Sequence, residues 1–219
     1  MLCCVSDSGG NDVSEARSGG DSGSDMDEAR AIPAERARRE PAGVSEVQLF
    51  ERQVFRDTRG SFTETWRDQP DTTAVLPRFV QDNAARSRSG VIRGLHFQNP
   101  RGQAKLVTVV VGEVFDVVVD VRVGSPTFGR WNSYTLSESN GRQLYVPAGY
   151  AHGYQTISDV SVVFYKCSDF YSPGDEQTVR WDDAALGIAW PIREPLLSPR
   201  DASAPLLRDL LPEHFPQVD

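Results

Sequence analysis

The residues best suited to chemistry are concentrated between Arg93 and Lys105. This stretch contains His96, one of only three histidines in the 219-residue chain, and it leads into the most strand-like run, 106–123. If His96 and Lys105 lie on neighbouring strands facing one way, an imidazole and an ammonium group share a pocket. Such a pair suits removal of a proton next to a carbonyl, because the base takes the proton and the cation stabilises the enolate. The alternative is an ordinary packed histidine and a solvated lysine.

Three further side chains on predicted strands can titrate: His152, Tyr165 and Tyr171. Tyrosines are common in strands, so each tyrosine also has an ordinary structural interpretation. Their chemistry nevertheless favours a function. Inversion of a carbon needs a base on one face and an acid of high pKa on the other, and a tyrosine with a pKa of about 10 can be that acid.

A metal site is the competing interpretation of a histidine-containing β-barrel. Such a site needs two or three imidazoles. Besides His96 and His152 the chain has only His214, close to its C-terminal end. Glu113 could complete a site with the first two histidines, but the shortage of imidazoles argues against a metal-dependent enzyme.

Composition argues against several classes of protein. The net charge of −8 and the pI of about 5.0 leave no basic excess to neutralise nucleic-acid phosphates. No run approaches the roughly 18 apolar residues of a membrane helix, and the N-terminus lacks the basic and apolar regions of a signal peptide. The cysteines Cys3, Cys4 and Cys167 have the spacing of neither a disulfide framework nor a metal site. We therefore expect a reducing, cytoplasmic location.

The chain changes character near residue 43. Residues 1–43 contain no aromatic residue, since the first is Phe50, and they include linker-like Ser-Gly segments with scattered acids. We expect a disordered acidic tail over residues 1–43 and a single domain over residues 44–219.

Within that domain, short strand-like runs are separated by turn residues. The predicted strands cover 47–49, 54–55, 62–66, 106–111, 114–121, 131–136, 142–146, 153–156, 160–166 and 178–181. The runs 106–111 and 114–121 are apolar at most positions, which predicts two strands joined by a tight turn and buried on both sides. A polar loop is expected up to Gly90 after Asp82-Asn83, and the one helix over 201–211. Without strand–helix alternation the fold class is all-β: a sandwich, jelly roll or barrel.

Five segments taken together resemble the dTDP-4-dehydrorhamnose 3,5-epimerase family. They are Arg93-Gly94-Leu95-His96-Phe97-Gln98, Gly112-Glu113-Val114-Phe115-Asp116-Val117, Ser125-Pro126-Thr127-Phe128-Gly129, Val146-Pro147-Ala148-Gly149-Tyr150-Ala151-His152-Gly153 and Leu186-Gly187-Ile188. The similarity runs from about residue 44 to 211 without a large gap. It implies a metal-free cupin jelly roll with few short helices. It also implies a homodimer that acts without a cofactor on a 4-keto-6-deoxy sugar attached to dTDP.

The resemblance also implies a role for each candidate residue. His96 would be the base, oriented by Asp201. Lys105 would lie beside the 4-keto oxygen, and Tyr165 would be the acid. Tyr171 would stack near the thymine. The residues expected to bind the substrate further along the nucleotide and phosphate pocket are Arg59, Glu64, Gln81, Asp82, Asn83, Arg93, His152, Glu176 and Arg200.

Two positions depart from the family pattern. Ala84-Ala85 stands where His-Ser is usual, and Arg200 stands where lysine is common, which keeps the charge but changes its reach. Related enzymes of antibiotic-sugar pathways invert only C3 or only C5, and these departures leave that alternative open. A binding module without turnover would be expected if base, acid or lysine were missing, and all three are present.

Overall fold

The computed structural model describes residues 46–68 and 76–218, so the predicted tail, residues 1–43, lies outside the described residues. The strands in chain order are β1 (Gln48–Glu51), β2 (Phe55–Asp57), β3 (Gly60–Phe62), β4 (Gln81–Arg88), β5 (Ile92–Gln98), β6 (Lys105–Val111), β7 (Glu113–Asp120), β8 (Trp131–Ser137), β9 (Arg142–Val146), β10 (Tyr150–Thr156), β11 (Val160–Cys167) and β12 (Glu176–Thr178). The helical segments are α1 (Pro199–Ala202) and the 3₁₀ helices Leu207–Asp209 and Pro212–His214.

Two antiparallel five-stranded sheets make up the body of the protein. Sheet I has the order β1-β9-β6-β11-β4, sheet II has the order β12-β5-β10-β7-β8, and β2 and β3 form a separate hairpin. From β4 to β12 the chain changes sheet at every connection except the one between β7 and β8. This alternation is the jelly-roll arrangement, and it confirms the predicted all-β fold class.

The interior between the two sheets is one apolar cluster. Sheet I contributes residues such as Val107, Leu144 and Val163, and sheet II contributes Val114 and Val118. Their alternation along each strand follows from the two-residue period of a β-strand. The core therefore fixes which side chains of β5, β6, β10 and β11 point inward.

The opposite face of sheet II is covered by a second apolar cluster. Val117 and Val119 of β7 pack there against Trp190, Leu207 and Phe215 from the C-terminal segment. Both faces of β7 are consequently buried, as its nearly continuous apolar sequence predicted.

The connection between β6 and β7 differs from the prediction. The sequence predicted a simple tight turn between two strands that are both fully buried. At Gly112, which has a φ of +74°, the chain passes from sheet I to sheet II, so β6 and β7 do not pair. Val110 and Val111, at the end of β6, are exposed. Burial on both sides therefore holds for β7 and fails for the end of β6.

Other sequence expectations were wrong as well. The predicted strands 62–66 and 178–181 overlap the observed strands only at Phe62 and Thr178. The predicted polar loop after Asp82-Asn83 is strand β4, an edge strand paired only with β11, whose side chains alternate between half-buried and exposed. A polar edge strand lacks the apolar periodicity that identifies a buried one. The predicted helix over 201–211 is broken, because Pro205 cannot donate a main-chain hydrogen bond and its own carbonyl accepts from Arg180 instead.

Candidate active site

His96 is held by a buried carboxylate. It lies on β5, and its Nε2 is 2.6 Å from Oδ1 of Asp201 in α1. Ser198 caps α1: its Oγ accepts from the Asp201 main-chain nitrogen at 3.1 Å and donates to Asp201 Oδ2 at 2.7 Å. Both carboxylate oxygens of Asp201 therefore have hydrogen-bond partners, and the bond to Nε2 fixes the position of the His96 imidazole.

The electrostatics of this pair determine which nitrogen of His96 can act as a base. Burial acts to raise the pKa of Asp201, but the hydrogen bonds from His96 and Ser198 outweigh it and lower that pKa. An ionised carboxylate only accepts hydrogen bonds, so Nε2 of His96 carries the hydrogen. Nδ1 of the neutral ring is then left as the proton acceptor.

Lys105 shares the interior with His96, but from the opposite sheet. It begins β6 in sheet I, whereas His96 lies on β5 in sheet II, so the two are not on neighbouring strands as the sequence suggested. Burial lowers the pKa of Lys105, and Cys167 and the carboxylates Glu176 and Asp116 act against that shift. In the described part of the chain its ammonium makes no hydrogen bond or ion pair. The charge is thus available to a ligand.

Tyr165 lies beside Lys105 on sheet I. In the β6–β11 ladder Cys167 pairs with Lys105 and Tyr165 pairs with Val107, so the tyrosine is one inward position further along. Burial raises the pKa of Tyr165, Cys167 and Glu176 add to the rise, and Arg93 opposes it. The hydroxyl therefore stays protonated, on the sheet opposite His96.

A second histidine–carboxylate pair lies next to the first. His152 on β10 is the register partner of His96, and its Nε2 lies 2.9 and 3.0 Å from the two carboxylate oxygens of Asp116 on β7. Burial raises the pKa of Asp116, while His152 and Lys105 act to lower it. Sequence reasoning missed Asp116, although a carboxylate inside the apolar run 114–121 was a signal for it, one that Asp120 shares.

Tyr171 and Glu176 border the pocket near His96. Glu176 Oε2 accepts from the Tyr171 hydroxyl at 2.6 Å and from Arg200, and its Oε1 lies 4.0 Å from His96 Nδ1. Hydrogen bonding to Glu176 raises the pKa of Tyr171, whose side chain is exposed. Gln81 accepts from the Tyr171 main-chain nitrogen at 2.9 Å. These bonds link β4, β12 and α1 beside the histidine.

Asn83 and Ser87 of β4 and Arg93 of β5 complete the inward face of the site. Asn83 receives a hydrogen bond from Gln81 at 3.2 Å and donates to Cys167 Sγ at 3.5 Å. Arg93 donates to the buried Ser87 hydroxyl at 3.0 Å. Of the two alanines that depart from the family pattern, Ala84 is exposed and only Ala85 is partly buried with the inward positions.

Three predicted binding residues are not brought to His96 within the protomer. Arg59, at the turn between β2 and β3, pairs with Asp57, and Glu64 pairs with Arg67. Asp82 is on the outer face of β4, where Lys166 donates to it at 2.9 and 3.0 Å.

Across residues 46–68 and 76–218 there is no group of three or more His, Cys, Asp or Glu side chains placed to hold a metal ion. The same residues include no helix with the length and hydropathy needed to cross a membrane.

Sequence comparison places this architecture among known proteins. Residues 41–209 match the profile of the family described as dTDP-4-dehydrorhamnose 3,5-epimerase. A dTDP-4-dehydrorhamnose 3,5-epimerase of Neisseria gonorrhoeae is 52% identical over 160 residues, which cover 72% of this chain and 49% of that protein. The chain thus spans about half the length of this curated relative.

Solved structures show the same fold. A dTDP-6-deoxy-D-glucose-3,5-epimerase of Legionella pneumophila, in complex with dTDP-4-keto-L-rhamnose, matches with a TM-score of 0.76 at 42% identity, covering 80% of this chain and 95% of that one. A 3′-monoepimerase of Streptomyces bikiniensis, in complex with dTDP-quinovose, matches with a TM-score of 0.74 at 36% identity, covering 81% and 92%. Enzymes with different numbers of inverted centres therefore share this architecture.

Proposed function

Because the chain belongs to the dTDP-4-dehydrorhamnose 3,5-epimerase family, we propose that it inverts C3 and C5 of dTDP-4-keto-6-deoxyglucose. The product would enter synthesis of a dTDP-linked deoxysugar such as dTDP-rhamnose. The observation that carries the proposal is the placement of His96, backed by Asp201, on one sheet, with Lys105 and Tyr165 on the other.

The 4-keto group makes the hydrogens on C3 and C5 acidic. His96 takes one of these protons on Nδ1, and the electrons of the broken C–H bond move into the enolate. Asp201 accepts the hydrogen bond of the resulting imidazolium and so favours its formation.

Lys105 stabilises the negative charge that develops on the enolate oxygen. A cation that is already removed from water and has no competing partner in the described residues needs no reorganisation when that charge appears. Asp116 and Glu176 help to keep the lysine charged, since both act to raise its pKa.

Tyr165 returns a proton to the opposite face of the ring carbon. Its O–H bond breaks, a new C–H bond forms, and the electron pair remains on the phenolate oxygen. Because the pKa of Tyr165 is raised, its hydroxyl stays protonated until the enolate forms. His96 must then lose its proton and Tyr165 regain one before the second centre reacts.

The nucleotide is assigned to the border of the pocket near Tyr171. This exposed ring, fixed by Glu176 and Gln81, offers a face for the thymine. Arg93 and Arg200 supply positive charge for the pyrophosphate in a protein of net charge −8. Asn83 and His152 line the interior beneath them.

We also propose that the chain acts as a homodimer in a reducing cytoplasm. The hairpin β2–β3 exposes Phe55 and Phe62, 46% and 69% accessible, and has Arg59 at its turn. If this hairpin meets a second subunit, it covers the two rings and brings Arg59 to the partner's pocket. The buried free thiol of Cys167 supports the reducing compartment.

The test is NMR of dTDP-4-keto-6-deoxyglucose incubated with the protein in deuterated water, with exchange and inversion read separately at C3 and C5. We expect exchange and inversion at both carbons. Exchange at both carbons with inversion at only one would identify a monoepimerase, for which Ala85 and Arg200 are the departures to examine. Absence of exchange at both carbons would overturn the proposed function.

A further inference from the structure

Tyr154 presents a buried hydroxyl that nothing in the proposed mechanism uses. The residue lies on β10 and is 4% exposed, and its hydroxyl oxygen has no hydrogen-bond partner among the described residues. An unpartnered buried hydroxyl destabilises a protein, so native structures rarely leave one without a reason. A ligand that supplies the missing hydrogen bond is such a reason.

The position of Tyr154 connects it to the active site. Its register partners are Arg93 on β5 and Asp116 on β7, the residue that holds His152. Tyr154 and Tyr165 belong to the same packed interior, although they come from opposite sheets. The free hydroxyl therefore lies among the groups that surround the reacting sugar.

The polar neighbours of Tyr154 are largely committed to other partners. Ser87 accepts from Arg93 Nε at 3.0 Å, and a second guanidinium nitrogen of Arg93 donates to the Arg86 carbonyl at 3.3 Å. Burial raises the pKa of Tyr154 to about 12, opposed by the charge of Arg93 and by the Ser87 hydroxyl, which lies close to the phenol but does not meet hydrogen-bond geometry with it. The hydroxyl is therefore neutral, able both to donate and to accept one hydrogen bond.

Tyr150 shows that an unpartnered hydroxyl alone does not make a site. It lies on the same strand, is 3% exposed and also lacks a hydrogen-bond partner for its hydroxyl in the described chain. Its ring, however, is covered by Arg122 at 4.3 Å, beside the buried Asp120. The charged groups that act on its hydroxyl are Arg122, Glu46 and Asp120, and none of these is a proposed catalytic group. What distinguishes Tyr154 is its place beside Arg93, Asp116 and Tyr165.

We propose that the Tyr154 hydroxyl is a specificity-determining contact that hydrogen-bonds a hydroxyl group of the hexose ring. This inference rests on the proposed function, since it assigns the contact to the sugar of that substrate. A ring hydroxyl fits best because it can both donate and accept, as a neutral phenol can. The keto oxygen is assigned to Lys105, and the phosphates need cations rather than a phenol.

Tyr154→Phe tests this contact, with Tyr150→Phe as the matched control from the same strand. Solvent deuterium exchange gives kcat/KM for three substrates: dTDP-4-keto-6-deoxyglucose and its 2-deoxy and 3-deoxy analogues. For the parent sugar we expect Tyr154→Phe to lower kcat/KM by roughly three- to tenfold, the worth of one neutral hydrogen bond. Tyr150→Phe should retain the wild-type value.

The analogues separate a sugar contact from a structural effect. On the analogue that lacks the contacted hydroxyl, Tyr154→Phe should react as fast as wild-type protein, because each change removes the same bond. The ligand-free Tyr154→Phe protein should melt at the wild-type temperature or above it, since an unpartnered hydroxyl has been removed.

Three results would overturn the inference: an unchanged kcat/KM for the parent sugar, equal losses on all three substrates, or a lower melting temperature of the ligand-free variant. Failure of the proposed function has a different signature. In that case the wild-type protein itself exchanges neither hydrogen of the parent sugar.

Discussion

Two polar clusters, each built around a buried carboxylate of β7, are organised in opposite ways. The closed cluster consists of Asp120, Arg122, Ser125 and Thr127. The open cluster consists of Asp116, His152, Lys105, Tyr154 and Tyr165. Asp116 and Asp120 are four residues apart on the same face of one strand, so they start from the same backbone environment.

The closed cluster satisfies every polar group that it buries. Asp120 accepts from the main-chain and guanidinium nitrogens of Arg122 and, at 2.6 Å, from the hydroxyls of Ser125 and Thr127. Burial acts to raise the pKa of Asp120, but these bonds lower it to about 2. The cluster ties the end of β7 to the following turn and leaves nothing for a ligand.

The open cluster keeps hydrogen-bonding capacity unused. Across the described residues, Lys105 has neither a hydrogen bond nor an ion pair, and the Tyr154 hydroxyl has no partner. Burial of charge therefore does not by itself identify a site. Unfilled donors and acceptors facing one interior do, because a stable fold would otherwise have satisfied them.

The largest effect should come from Lys105→Met, which removes the buried charge and keeps the volume. We predict that the exchange rate falls by about 10²- to 10³-fold, the usual effect of losing an oxyanion partner. The free energy of unfolding should stay the same or rise, because a desolvated ammonium is gone. The checks are NMR exchange and urea unfolding.

Lys166→Met is the control, since Lys166 is the only other lysine and lies outside the open cluster, paired with Asp82. It should keep near wild-type exchange. If the Lys105→Met protein unfolds much more easily than wild type, Lys105 stabilises the fold in the way that the residues of the closed cluster do.

Asp120→Ala should have the reverse signature. It removes the buried carboxylate from Arg122, which keeps the exposed Glu46 as its ionic partner, so we predict a loss of about 3 kcal/mol in the free energy of unfolding. The folded fraction should retain kcat within about twofold, because no ligand contact is lost. Urea unfolding and exchange kinetics measure the two quantities. A large fall in kcat of the folded protein would contradict the division into two clusters.

Arg59→Ala should raise KM by about tenfold, the value of a charge-assisted bond to phosphate. If Arg59 acts across a dimer, mixing Arg59→Ala with His96→Ala protein after subunit exchange should restore about a quarter of wild-type activity at low substrate, through heterodimers with one intact pocket. An unchanged KM would remove Arg59 from the site. If mixing the two variants restores no activity, Arg59 acts within one subunit or the protein is not a dimer.

The smallest effect concerns pH and Lys105. Because folding lowers the pKa of Lys105 from 10.5, the unfolded chain binds more protons between the folded and unfolded pKa values. The contribution of Lys105 to stability therefore rises with pH across that window, while catalysis, which needs the ammonium form, declines. Urea unfolding at neutral and alkaline pH should show the advantage of Lys105→Met over wild type narrowing. An advantage that widens would mean that folding raises this pKa.

The sequence predicted most of the fold because inward positions of a jelly roll are apolar in alternation. It predicted β9 with its observed bounds, and β7, β8 and β11 to within one residue. It missed β4, whose edge position tolerates polar residues, and it extended a helix through Pro205. These errors arise where tertiary pairing or one proline overrides local periodicity.

The candidate site was less visible in the sequence than the fold. The structure brings His96 and Asp201 together, as the family resemblance implied. It places His96 and Lys105 on opposite sheets. That placement follows from the order in which the chain crosses between the sheets, which residue spacing does not reveal. Asp116 and Tyr154 became candidates only once the register showed them facing the same interior. Their local sequence is that of ordinary strand residues.

In the proposed mechanism, His96 removes protons and Tyr165 returns them from the other side. Its most direct test is deuterium exchange at C3 and C5, measured together with inversion, in His96→Ala and Tyr165→Phe proteins whose folding has been verified. We predict that His96→Ala loses exchange at both carbons together. Tyr165→Phe should continue to exchange, at least at C3, because His96 can return a proton to the original face, while inversion falls by about 10² to 10⁴. The claim is contradicted if Tyr165→Phe abolishes exchange as fully as His96→Ala, or if His96→Ala still inverts C3 at near the wild-type rate.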